Sequence, residues 1–203
     1  MKAIETTYKG CRFRSRLEAR WAVWLDACGV RWLYEPQGFD LDGKAYLPDF
    51  FLPFPSPVSV GGDPPPASRV AWGAPQAYWL EIKPTTPTDE ERELLCLLAR
   101  GTGHHAYCFA GQPWPGEFRV YQALCQGGWH DVTAGGERLD RELADLCQEH
   151  NGYLPAADPT GPIRYALHAI GCNVAEGDWD RMALAFRRAR SARFEHGETG
   201  AAR

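Results

Sequence analysis

The sequence predicts an α/β fold, and three observations carry that expectation. Apolar residues recur at helical spacing through Leu17, Trp21, Trp24, Leu25 and Cys28. A strand-like aromatic run, Ala77 to Lys83, is followed by a second helical pattern and then by another strand pattern at His105 to Ala110. Between the first helix and that run, Asp42-Gly43 gives a strong hairpin signal. With 203 residues, 44% hydrophobic and 24% charged, the chain suffices for one good core and has the composition of a folded protein.

Taken in order, Tyr8 to Arg14 reads as a short strand or an extended lead into the first helix. Ser15-Arg16-Leu17-Glu18 has the form of a capping box, and Gly29 ends a helix of about 16 to 28. Val30 to Pro36 reads as a strand, with Pro36 and Gly38 turning the chain. Phe39 to Leu47 forms the Asp42-Gly43 hairpin and delivers Pro48-Asp49; Pro48 has no N–H for a ladder and belongs at an edge or bulge. Residues 53–76 are rich in Pro, Gly and Ser and read as an exposed insertion. Ala77 to Lys83 then places Leu80 and Ile82 on one face and Glu81 and Lys83 on the other. Pro84 stops that strand, and the second helix is expected to start with Thr86 as N-cap and Pro87 at its first position. Leu94, Leu95, Leu97 and Leu98 give its buried side.

Residues 1–111 are read as a core and 112–203 as an extension packed on it. The extension contains a hairpin (Phe118 to Leu124 with Gly128 to Val132), helical patterns at about 137–149 and 162–171, and a last helix of about 179–194. In that helix Trp179, Met182, Phe186 and Ala189 make an apolar stripe, and Arg187, Arg188, Arg190 and Arg193 cluster. Such a basic end either lies in solvent, complementing the helix dipole, or contacts phosphates.

The net charge of −4 argues against a strongly basic binder, but its distribution is uneven. Residues 1–35 and 179–203 each carry +3, leaving −10 for residues 36–178, the pattern of two basic arms beside an acidic body. The seven cysteines follow no short-range pairing pattern and read as reduced thiols. Cys125, His130, Cys147 and His150 offer zinc-ligand types, but only Cys147-x-x-His150 has a familiar spacing, so zinc is disfavoured. The first ten residues lack an apolar signal core and no run is long enough to span a membrane, so the expected location is cytoplasmic.

Glu18, Asp49, Glu81 and Lys83 are the candidate catalytic residues, expected to converge on one metal-dependent site that cuts nucleic acid. Cutting a phosphodiester needs an activated water and neutralisation of charge on the phosphoryl and leaving oxygens, which hard divalent ions on oxygen ligands supply. Asp49 and Glu81, with the backbone carbonyl of Ile82, are the expected ligands. Glu18 joins them directly or through water, or serves only as a helix cap. Lys83 would position the water, deprotonate it if its pKa is depressed, or stabilise the transition state. Arg14, Arg16, Arg187, Arg188 and Arg190 are the candidate nucleic-acid contacts.

The order of helix with Glu18, strand, strand with Pro48-Asp49, strand with Glu81-Ile82-Lys83, helix and strand resembles the αβββαβ core of the PD-(D/E)xK nuclease superfamily, over about residues 8–111. Phe13 to Trp21, Tyr34-Glu35-Pro36 and Tyr46 to Phe50 look like phage and mobile-element members, and Ala189 to Glu195 is similar to the ends of some actinobacterial phage proteins. The resemblance implies a restriction-endonuclease-like mixed central sheet flanked by helices. It implies cleavage of DNA with Mg²⁺, or Mn²⁺ in its place, in restriction, repair or recombination. A homodimer or larger nucleoprotein assembly is open to such a protein. The alternative is a non-cleaving nucleic-acid- or partner-binding protein on a nuclease scaffold, or a subunit active only in a larger assembly. The long insertion before Glu81 and the acidic body depart from the pattern.

Overall fold

In the computed structural model, residues 5–28, 30–53, 77–114, 116–131 and 179–194 are described. Strands β1 (Thr6–Tyr8) and β2 (Cys11–Phe13) form an antiparallel hairpin where the sequence suggested a strand or an extended lead. Its turn is Lys9-Gly10, with φ of 48° and 80°. Two positive φ angles match the right-handed twist of the flanking strands, and Gly10 adopts its angle without a Cβ penalty.

Helix α1 spans Arg16–Ala27, with Ser15 as N-cap: its side chain accepts from the Glu18 N–H. The Gly29 stop lies outside the described residues. Strand β3 is only Leu33–Tyr34, shorter than the expected Val30 to Pro36. Glu35 ends it by entering the left-handed region at φ 44°. That conformation costs a non-glycine residue about 1–2 kcal/mol. β4 (Phe39–Leu41) and β5 (Lys44–Tyr46) form the expected Asp42-Gly43 hairpin, as a separate two-stranded sheet. The next strand, β6, is Phe50–Pro53. Pro48 therefore sits in the link between β5 and β6 and not on a strand edge, where its missing N–H leaves no ladder position empty.

The main sheet continues with β7 (Ala77–Lys83) and β8 (His105–Gly111), joined by helix α2 (Asp89–Thr102). The N-cap of α2 is Thr88, two residues beyond the expected Thr86. Thr88 and Glu91 form a reciprocal capping box that Thr86 does not, and Pro87 stays outside the helix. Gly103 closes α2 in the left-handed conformation. β9 (Phe118–Ala123) and β10 (Trp129–Asp131) are the expected later hairpin, and helix α3 spans Trp179–Ser191, three residues short of the expected end. The helical patterns at 137–149 and 162–171, the insertion from residue 54 to 76, and the side chains of Trp179 and Met182 lie outside the described residues.

The six strands run in the order β10-β9-β8-β7-β6-β3. Only β7 and β8 are parallel, because α2 carries the chain back between them; the other pairs are antiparallel. Among the described residues the result is an α/β fold with a mixed six-stranded sheet and three helices. Alternation sends Leu80 and Ile82 to the face covered by α1 and α3, packed with Trp21, Trp24 and Phe186. Trp79 goes to the opposite face, packed under Leu95, Leu98 and Ala99 of α2. Burying such aromatic and aliphatic side chains stabilises the fold by about 1.5–3 kcal/mol each. Of the four leucines assigned to the buried side of α2, Leu95 and Leu98 are fully covered and Leu94 and Leu97 lie at the margin. Gly111 ends β8 at φ 116°, and a Cβ there would meet the Glu117 carbonyl oxygen at 2.1 Å. This close approach folds Gln112 to Glu117 back on the strand end, with the Gln112 N–H donating to the Glu117 carbonyl at 3.0 Å. No helix among the described residues is long and apolar enough to cross a membrane.

Candidate functional site

Asp49 sits one residue before β6, beside the end of β7. The β6–β7 ladder pairs Phe50 with Leu80. Just past that pair the Ile82 N–H donates to Asp49 Oδ2 at 2.7 Å, so a side chain takes a bond that a longer β6 would have made. The Asp49 N–H in turn reaches Glu81 Oε2 at 3.4 Å. Asp49 is 3% exposed and Glu81 5%. Two carboxylates on neighbouring strand ends are thus buried and linked through each other's backbone.

Each oxygen of Glu81 has a definite partner. The Tyr46 hydroxyl, from the small hairpin, donates to Oε2 at 2.9 Å, and Lys83 Nζ lies 3.0 Å from Oε1. Lys83 Nζ is also 3.0 Å from Glu91 Oε1, so the ammonium bridges the strand acid and the first turn of α2. Burial alone would pull the Lys83 pKa down, but Glu81 and Glu91 more than offset it and hold the group well above the ordinary lysine value. Lys83 is therefore a fixed cation, the opposite of the depressed state that a general base requires. Burial, with Glu81 adjacent, likewise raises Tyr46, which stays a hydroxyl donor.

Glu18 enters from the other layer. Its Oε1 accepts from Ser15 Oγ at 2.6 Å, and its Oε2 from the Tyr34 hydroxyl at 2.6 Å and the Arg14 N–H at 3.2 Å. The two readings of this residue merge in part: Glu18 does cap its helix, but its reciprocal bond goes to Arg14 N–H and not to the N-cap's own. Arg14 then connects the layers, with Nη2 on Asp49 Oδ1 at 3.0 Å and Nε on Glu35. Glu35 is tied back by its N–H to the Asp49 carbonyl at 2.8 Å, which holds its disfavoured φ in place. Burial disfavours the Arg14 charge, but Tyr34, Asp49 and Glu35 outweigh it and raise its pKa. The Asp49 carboxyl is held well above the usual carboxylate range by burial first, then by the charges of Glu81 and Glu18; the Ile82 N–H and Arg14 only partly counter this.

The structure thus brings Glu81 into contact with both Asp49 and Lys83 and ties Glu18 to them through Arg14. Sequence reasoning missed Tyr34, Tyr46, Glu35 and Glu91 as members of the network. The tyrosines stand in strand patterns that hydrophobic alternation already explains, and Glu91 is explained by its helix-start position. Hard oxygen donors with an excess of buried negative charge suit a divalent cation such as Mg²⁺ or Mn²⁺ at Asp49 and Glu81. Among the described residues no three His, Cys, Asp or Glu side chains are grouped to hold one ion. Magnesium often takes only one or two protein carboxylates, a number that Asp49 and Glu81 supply, although their oxygens, like those of Glu18, are each engaged by protein donors.

The arginine candidates separate. Arg14 is the bridge just described. Arg190 pairs with Glu117 at 3.0 Å and lies 4.4 Å above the Trp114 ring. Arg188 is exposed, whereas Arg16 and Arg187 are partly buried and already engaged in interactions. Of the zinc candidates, the Cys125 N–H donates to His105 Nδ1 at 3.0 Å, and Cys147 and His150 lie outside the described residues. All five described cysteines are free thiols. No protein-family model, no curated protein and no solved structure matches the chain.

Proposed function

We propose that this protein is a Mg²⁺-dependent endonuclease that hydrolyses DNA phosphodiester bonds on a restriction-endonuclease-like αβββαβ scaffold of the PD-(D/E)xK kind. The observation that carries the reading is the triangle at the β6–β7 ends, where Asp49 and Glu81 are buried and interlinked and Lys83 Nζ stands 3.0 Å from Glu81 Oε1. Buried acids beside a fixed cation are costly to maintain for stability alone.

Asp49, Glu81 and the Ile82 carbonyl would hold the cation, which when bound supplies Lewis acidity and lowers the pKa of water. In hydrolysis a water oxygen bonds to phosphorus and gives up a proton to solvent, the P–O bond to the leaving oxygen breaks, and that oxygen takes a proton from solvent. Lys83, protonated and anchored by Glu81 and Glu91, places positive charge where the phosphoryl oxygens gain negative charge. Tyr46 orients Glu81 by donating to Oε2. Arg14, next to Asp49, offers a guanidinium fork to an incoming phosphate.

The test is cleavage of linear, supercoiled, branched and single-stranded DNA, with RNA alongside, in Mg²⁺ or Mn²⁺. Lys83→Ala should abolish metal-dependent cutting; undiminished cutting by a folded variant would overturn the assignment. One observation favours a second reading, a non-cleaving DNA- or partner-binding protein: Arg14 already occupies Asp49 Oδ1. DNA binding without nicking in either metal would support it.

A further inference from the structure

A second cationic feature lies apart from the acidic triangle. Arg20, Gln112, Pro113, Trp114, Glu117 and Arg190 line an open cavity of about 280 Å³ built from α1, the loop after β8, and α3. Arg20 Nη1 donates to Gln112 Oε1 at 3.0 Å, a neutral partner, and its Nε is buried without one. Among the described residues Arg20 makes no ion pair. Arg190 joins the lining from α3, 4.4 Å over the Trp114 ring and paired with Glu117 at 3.0 Å. That ion pair is half exposed on both sides, so it is weak and exchangeable. Gly111 permits the close turn that sets this loop, and the Trp21 Nε1–H fixes it by donating to the Gly111 carbonyl at 3.0 Å.

We propose that this cavity binds a backbone phosphate of the nucleic acid, with Arg20 and Arg190 as its two forks. The ligand class rests on the nucleic-acid reading above but not on cleavage. Two guanidinium groups facing one polar cavity suit a phosphate, which accepts bidentate bonds from planar forks. The Trp114 face is already covered by Arg190, which argues against a stacked base. Lys83 ends β7 beside Ala110 of the parallel β8, and Gln112 follows in the loop after Gly111, so the two features stand at the same end of the sheet, Lys83 on its α2 side and the cavity on its α1–α3 side. A duplex laid across that end of the sheet can meet both features. Glu117 would release Arg190 as the phosphate arrives.

The experiment is fluorescence anisotropy with a labelled DNA duplex over a salt series, with Ca²⁺ replacing Mg²⁺. Arg20→Ala and Arg190→Ala should each weaken binding several-fold and reduce the slope of log affinity against log salt by about 0.9. Arg20→Lys should restore the slope while recovering only part of the affinity, because the charge returns without the fork. An unchanged slope in Arg20→Ala, with a thermal melt like the parent's, would overturn the proposal, as would failure of Arg20→Lys to recover it. Wild-type cleavage in Mg²⁺ reads the nuclease assignment separately: binding without cutting refutes only that assignment, and cutting with an unchanged slope refutes only this one.

Discussion

Arg14 Nη2 stands 3.0 Å from Asp49 Oδ1, so the most buried acid of the site meets a guanidinium from within the protein on an oxygen that a metal ion would also seek. A guanidinium and a divalent cation compete for the same carboxylate. Arg14→Ala should therefore bind Mn²⁺ more tightly in the absence of DNA, by several-fold in calorimetric titration. The same change should lower stability by about 1–3 kcal/mol, since it leaves a buried carboxylate short of a donor. Unaltered Mn²⁺ affinity would show that Arg14 does not guard the acid.

Asp49→Asn should stabilise the protein at neutral pH. The Asp49 pKa is raised in the fold by burial and by Glu81 and Glu18. Between the ordinary value of 3.8 and the raised one, the folded state holds a proton that the unfolded state has lost. Stability contributed by that group is thus complete below pH 3.8 and falls as pH rises through the folded pKa. The gain in melting temperature from Asn should grow as pH rises from the ordinary carboxylate value and vanish as pH approaches it. A gain independent of pH would contradict the electrostatic cause.

Glu91 has two separable duties. It closes the α2 capping box, accepting from the Thr88 N–H at 2.8 Å, and it holds Lys83. Although its burial acts the other way, the Thr88 N–H and Lys83 lower its pKa, so its contribution is present above the ordinary value of 4.5 and lost as pH falls below it. Glu91→Gln can still cap and should cost little stability, while reducing DNA cleavage at least ten-fold through a loosened Lys83. Glu91→Ala should add a capping loss of about 1 kcal/mol by thermal or urea denaturation. Equal stability of the two variants would mean that the cap contributes nothing.

Tyr34→Phe removes a donor from Glu18 and an acceptor from the Arg14 N–H at once. The expected cost is about 1–3 kcal/mol in urea denaturation, with wild-type secondary structure by circular dichroism. A change below about 0.5 kcal/mol would indicate that water replaces the hydroxyl.

Much of this architecture was legible because local signals were redundant. Ser15 and the Leu17–Trp21–Trp24 spacing define α1 independently, and Asp42-Gly43 sets its hairpin from two residues. The period of two separated Leu80 and Ile82 from Glu81 and Lys83 correctly. Lys9-Gly10 was a hairpin signal of the same kind, hidden by its weaker first residue. Thr86 and Thr88 both suit an N-cap, and only the Glu three residues on selects Thr88. Tyr34, Tyr46 and Arg14 join the site through contacts 16 to 35 residues apart in sequence, which no local pattern encodes. The depressed state considered for Lys83 is overturned by a shorter-range contact, since Glu91 reaches the ammonium when the start of α2 folds back on β7.

The Lys83–Glu91 pair spans eight residues of chain, whereas the Asp49–Ile82 and Arg14–Asp49 bonds span 33 and 35. Contacts of low sequence separation form early, and long-range ones wait for topology. The cationic half of the site can therefore assemble with the β7–α2 unit, and its acidic half is completed only when β6 docks. The order of events in folding would then keep the buried acids apart until their counter-charge is in place.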